Sequence, residues 1–213
     1  MKRINRTLRL LAVTTVALGT LLSTAPARAI MVSISPAAQT IGVGGSASID
    51  IIVSGLNQPA DAVVGGFSLT LTFNDTFLSG LDFTNDPGGK MGAAPLDLSL
   101  GFFGDSLDLF FVADALETEA SLAASQGVSF ILSTVTFSGL ALGLSPLTLS
   151  NVILSNWDGT ETLAGVTIEN GEICVAAEGA NGCTPVPVPE PGTLALLTLG
   201  MLGMGLTRRR RSN

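Results

Sequence analysis

Two cysteines, seventeen carboxylates and a single tryptophan are the side chains here with the chemistry to catalyse, ligate or grip. Cys174 and Cys183 have eight residues between them, Gly179 and Gly182 included, so the loop between them can close. In an oxidising compartment they read as a disulfide, stabilising by about 2–3 kcal/mol; two free thiols are the alternative. A zinc site is a poor match, because the chain has no histidine and no third cysteine. Two carboxylates suffice for glycoside hydrolysis, and Asp105 with Asp108, Glu117 with Glu119 and Asp158 with Glu161 are the candidate pairs. None sits in a recognisable signature, and the aromatic platforms of a sugar site are scarce, with no tyrosine and only Trp157 for tryptophan. Solvated surface charge is the better account of these acids. Oxygen-rich loops at Asn74-Asp75, Asn85-Asp86 and Asn156 to Glu161 invite calcium, but none follows the EF-hand spacing and the same residues make ordinary turns. No catalytic, cofactor or metal residue is therefore assigned, and structural calcium stays open at an unassigned site. Trp157 reads as a partly buried anchor, with a contact residue as the alternative.

Charge narrows the function classes further. All 17 acids fall between Asp50 and Glu190, and Lys90 is the lone base between Ile30 and Pro191, which gives that stretch a net charge of −16. Phosphate backbones would be repelled, so nucleic acid is not a partner. Without histidine there is no Ser-His-Asp catalysis and no imidazole switch near neutral pH.

The elements that must position these residues are strands. Phe67 to Phe73 alternates four apolar residues with three hydroxyls, and Ile49, Ile51 and Val53 alternate in the same way. Leu107 to Val112 and Leu147 to Leu154 are further strands. Val128 to Phe137 changes apolar parity between Leu132 and Val135, which predicts a bulge or burial on both faces. Asn170-Gly171, between Val166 and Ile168 on one side and Ile173 and Val175 on the other, predicts a hairpin turn. Only Asp114 to Gln126 has helical composition. Many short strands broken by Gly-rich turns predict an all-β sandwich or jelly roll.

The two ends have a different character. Lys2, Arg3, Arg6 and Arg9 precede the apolar run Leu10 to Leu22, and Ala27-Arg28-Ala29 offers a small-x-small cleavage site, so residues 1–29 read as a secretory signal peptide cut after Ala29. At the other end Pro189-Glu190-Pro191 closes a Pro-rich linker, residues 185–191. Residues 192–213 then supply the uncharged run Thr193 to Thr207 and the four arginines Arg208, Arg209, Arg210 and Arg211. A 15-residue helix reaches about 22 Å, short of a bilayer core of about 30 Å. Flanking residues and snorkelling arginines extend it, and the arginines hold the terminus in the cytoplasm as a stop signal.

This tripeptide, apolar helix and terminal arginine run, in that order, resemble the PEP-CTERM sorting signal. The resemblance implies an exported protein of a Gram-negative bacterium, held for a time in the inner membrane as a single-pass protein. An exosortase would act at Pro189, Glu190 and Pro191, leaving the protein at the cell surface or outside the cell.

Residues 30–184 carry a second resemblance. Val32-Ser33-Ile34-Ser35-Pro36, then Ser48 to Leu56, then Val64-Gly65-Gly66 leading into the strand that ends at Asn74-Asp75, are similar in order to the cohesin and cohesin-like domains. Ile131 to Phe137, Leu147 to Val152 and Gly171 to Val175 resemble the late strands of that family. The resemblance implies a jelly-roll sandwich of about nine strands with a binding or structural role and no enzymatic activity. The expected partners are signal peptidase and exosortase during export, then a surface protein or polysaccharide in a biofilm or envelope matrix. A carbohydrate-binding module is the rival expectation, and a carboxylate-dependent polysaccharide hydrolase a more distant one.

Overall fold

Alternating Phe67, Leu69 and Leu71 with Ser68, Thr70 and Thr72 gives a strand one apolar and one wettable face. The computed structural model describes residues 29–56, 63–178 and 182–183, and forms this strand as β4 (Gly66–Thr72), its three large apolar side chains buried. The other strands are β1 (Met31–Ser35), β2 (Ala38–Gly42), β3 (Ser46–Ser54), β5 (Leu78–Asn85), β6 (Leu96–Asp97), β7 (Gly101–Phe103), β8 (Ser106–Val112), β9 (Ser129–Gly139), β10 (Gly143–Ser155), β11 (Thr167–Glu169) and β12 (Gly171–Ala176). One helix, α1 (Glu119–Gln126), joins β8 to β9.

The strands form two sheets. One runs β11-β1-β3-β9-β5; the other runs β2-β12-β10-β4-β8-β6, with β7 also on β8. The inner faces of both supply a single core that includes Val32, Ile49, Ile51, Leu69, Leu71, Leu107, Leu109, Val135, Phe137 and Ile173. Phe67 stacks on Phe111 with centroids 5.7 Å apart, and Phe73, Phe102 and Phe137 meet edge to face at 5.1–6.2 Å. The fold is the expected all-β sandwich.

Twelve strand segments stand where about nine were expected, and the excess has a clear origin. The first strand breaks at Pro36, so β1 joins one sheet and β2 the other. The last strand breaks at Asn170 in the same way, and its halves run parallel to the halves of the first, β11 beside β1 and β12 beside β2. β6 and β7 are two stretches of one edge lying along β8. Counting each divided strand once gives nine.

The predicted hairpin at Asn170-Gly171 is therefore corrected. Its two arms enter different sheets, and Ile168 is exposed where Ile173 is fully buried. The glycine is needed for close approach: a Cβ there would stand 2.9 Å from Ile34 Cγ2 and 3.0 Å from the Ala37 carbonyl oxygen. The Asn170 side chain accepts the Leu149 N–H at 2.9 Å, tying the crossing to β10.

The parity change in β9 is a bulge. Ile51 pairs with Ser133 and Ile52 with Ile131, which leaves Leu132 as the extra residue. Helix α1 is shorter than the expected Asp114 to Gln126. Thr118 caps it, its hydroxyl accepting the Ser121 N–H at 3.2 Å while Ser121 Oγ accepts the Thr118 N–H at 2.9 Å.

The helix is clamped to the sandwich by Gln126, which is buried. Its side-chain oxygen accepts the Val64 N–H at 2.9 Å and its amide donates to the Val64 carbonyl at 2.7 Å. Gln126→Leu would leave both buried backbone groups without partners. At about 1–3 kcal/mol for each orphaned group, unfolding free energy should fall by about 2–6 kcal/mol in a denaturant titration. Unchanged stability would show that the clamp adds nothing.

Candidate interaction face

The residues singled out by sequence separate into three sets. Cys174 and Cys183 form the disulfide, with Cα atoms 5.4 Å apart. The bond pins β12 to the point where the chain leaves for its C-terminal segment. Cys183→Ser should lower stability by about 2–3 kcal/mol, and reductant should shift the wild type but not the variant in a thermal melt. Ala29 lies at the head of β1, its carbonyl oxygen 2.5 Å from where a Cβ on Gly55 would stand. The next residue, Ile30, is buried, and its carbonyl accepts the Thr167 N–H at 2.8 Å. Residues 1–28, the Pro189-Glu190-Pro191 tripeptide, the apolar helix and Arg208 to Arg211 lie outside the described residues.

One carboxylate of each candidate pair is engaged in a local hydrogen bond. Asp108 accepts from Thr70 Oγ1 at 2.7 Å across β8 and β4. Glu117 accepts from the Ser121 hydroxyl, and Asp158 from the Thr160 N–H at 3.0 Å and its hydroxyl at 2.6 Å. Those two Thr160 bonds, side chain first, hold the Asp158 carboxyl below its ordinary value. Among the described residues no three acidic or cysteine side chains gather as a metal site. Asp86, read in the sequence as part of an oxygen-rich loop, organises that loop through the backbone. Its buried carboxylate accepts the N–H groups of Lys90 and Met91, each at 2.7 Å. Asp97 is held below the usual carboxylate value: partial burial opposes its charge, and hydrogen bonds from Ser99 and Asn85 outweigh that. A lowered carboxylate contributes stability above its unfolded value, here 3.8, and loses it as the pH falls further.

The outer face of the seven-stranded sheet is the feature that sequence reasoning missed. Register places Ile153 of β10, Ser68 of β4 and Phe110 of β8 in one row. Leu98 continues the row, its N–H donating to the Phe110 carbonyl at 2.9 Å. The neighbouring row is Ser155, Gly66, Val112 and Leu96. Phe110 is 42% exposed, Leu98 49%, Ile153 50% and Leu96 54%. Between the rows lies a groove of about 240 Å³ bordered by Gly66, Ser68, Phe110, Val112, Ile153 and Ser155. Gly66 keeps it open, because a Cβ there would press on Ser155 Oγ at 2.9 Å.

Beyond this end the same face turns polar, with the row Ser150, Thr70 and Asp108 and the row Thr148, Thr72 and Ser106. A bulge at Asn151, where φ is 51°, marks the change by shifting the β10 register between Ser150 and Ile153. The face thus offers an apolar half and a hydroxyl-rich, acidic half on a rigid sheet. Such a surface can dock another macromolecule. The signal in the sequence was the phase of Leu107, Leu109 and Phe111, which leaves Phe110 pointing away from the core.

Residues 187–211 match the family model described as the PEP-CTERM protein-sorting motif. No curated protein sequence matches the chain. Among solved structures, the sandwich resembles a type II cohesin domain from the cellulosome of Acetivibrio cellulolyticus, with a TM-score of 0.53, 13% identity, and 70% of this chain and 95% of that one covered. It also resembles the sixth cohesin of scaffoldin B from Acetivibrio cellulolyticus, solved in complex with a Cel5 dockerin mutant (TM-score 0.52, 15% identity, 70% and 99% covered). A third likeness is to a non-cellulosomal cohesin from the archaeon Archaeoglobus fulgidus (TM-score 0.50, 16% identity, 71% and 92% covered). At these identities the likeness shows the fold.

Proposed function

We propose that this PEP-CTERM protein with a cohesin-like domain is an exported, non-catalytic binding module that docks a partner protein on the outer face of its seven-stranded sheet. The observation that carries the reading is the exposed row Ile153, Ser68, Phe110 and Leu98 on a domain whose remaining surface is strongly acidic. Aromatic and branched side chains held on adjacent strands bury apolar area against a partner at little entropic cost. A cohesin of the same fold has been solved with a dockerin, and a protein partner of that general kind suits a flat sheet face better than a sugar does. The polysaccharide alternatives have less behind them, since one member of each candidate carboxylate pair, Asp108, Glu117 and Asp158, serves a local hydrogen bond.

The sorting motif supplies the route. Signal peptidase cuts after Ala29, the apolar run ahead of Arg208 to Arg211 halts export in the inner membrane, and exosortase acts at Pro189-Glu190-Pro191. The product carries the domain to the cell surface or the matrix outside it, including that of a biofilm. Mass spectrometry of the native exported protein should find an N-terminus at Ile30 and no residues after about Pro191. A mature protein that still carries Arg208 to Arg211 would sink the processing step.

A further inference from the structure

The loop that leaves β10 is held rigidly. Asn156 N–H donates to the Glu161 carbonyl at 2.9 Å, Glu161 N–H to Asn156 Oδ1 at 3.1 Å, and Gly159 N–H to the Asn156 carbonyl at 3.0 Å. Leu163 N–H reaches back to the Leu154 carbonyl at 2.8 Å. Gly65 lets this loop sit directly on the strand entry, since a Cβ there would lie 2.2 Å from the Asn156 carbonyl oxygen and 2.6 Å from that of Trp157. The backbone carrying Trp157 is thereby fixed, yet the residue is 42% exposed.

That exposure borders a cleft of about 420 Å³. It is lined by Trp157, the buried Val63, the half-buried Leu163 and two exposed acidic residues, Glu119, from the first turn of α1, and Glu161. Asp158 stands beside Trp157 in the same loop, and the lone base between Ile30 and Pro191, Lys90, is not part of the lining. An indole face attracts a cation through its quadrupole, and flanking carboxylates add Coulomb attraction. Anionic ligands are disfavoured by the same charges. We propose that this cleft receives an arginine or lysine side chain from a partner protein.

The cleft adjoins the apolar face, since Ser155 and Gly159 border the groove on that face and Asn156 and Trp157 border the cleft. The proposal adds a charge-selecting pocket to the docking reading but is tested without any partner. The chain has one tryptophan and no tyrosine, so its indole emission reports on this site alone. Full-length protein is titrated with a short arginine peptide with neutral flanks, its lysine counterpart, its glutamate counterpart and a neutral glucan oligosaccharide. The arginine or lysine peptide should change the emission saturably, with an apparent affinity that weakens as salt rises. The glutamate peptide and the glucan should leave the emission unchanged. The double variant Glu119→Gln/Glu161→Gln, with both positions on the surface and an unchanged melt, should bind the basic peptide at least tenfold more weakly. No saturable change with either basic peptide, an affinity indifferent to the double substitution, or an equal response to the glucan would overturn the proposal. Loss of partner binding by the apolar face, with this titration intact, would separate the two sites.

Discussion

Replacing Pro189, Glu190 and Pro191 together with alanine should leave the whole C-terminal segment on the protein. The variant should accumulate in the inner membrane fraction at the precursor mass, with the signal peptide removed. The expected effect is close to complete, because on the proposed route recognition of the tripeptide commits the chain to release. The motif match spans residues 187–211, so the tripeptide, the apolar run and the arginines are read as one signal. Neutralising Arg208 to Arg211 should produce a different defect, failure to halt in the membrane. Fractionation followed by mass determination distinguishes the two. Release of the alanine variant at the wild-type rate would mean that the tripeptide is incidental.

The second large effect concerns the docking face. Phe110→Asp with Ile153→Asp puts two charges into the exposed apolar row. Both side chains point outward from strands whose inward neighbours, Leu109, Phe111 and Leu154, stay buried. Folding should therefore be little changed, while docking should weaken by a hundredfold or more, as when central aromatic anchors of an interface are lost. Asp108, in the polar half of the same face, accepts from Thr70, so Asp108→Asn is a milder control with a smaller expected effect.

Much of the architecture was legible in the residues, because sandwich strands write their faces in a period of two. β4 could be read from Phe67 to Phe73, and the parity break in β9 from Leu132 and Val135. The cysteines were legible through their spacing in an exported chain. What failed to show depends on contacts between residues far apart in sequence. The Asn170-Gly171 pair has local hairpin chemistry, yet the halves of the last strand pair with the halves of the first, more than 130 residues earlier. Gln126 looks like any polar residue at a helix end; its role appears only once Val64 is beside it. Asp86 in an oxygen-rich loop reads as a turn former, and its burial comes from the loop that folds over it. The proposed docking face was the hardest to see. Phe110 lies in an apolar run that suggests core, and only the pairing of β10, β4 and β8 aligns it with Ile153 on the outside.

The charge of −16 between Ile30 and Pro191 frames both proposed contacts. It keeps an apolar face soluble and favours a partner with basic residues around an apolar centre, which makes association sensitive to salt. The direct test is to capture the surface partner with the processed native protein, identify it by mass spectrometry, and measure its affinity for wild type and for Phe110→Asp/Ile153→Asp by calorimetry. At least a hundredfold loss of affinity with an unchanged melting temperature is the expected result. Equal binding by the two proteins would contradict the assignment of this sheet face as the docking surface.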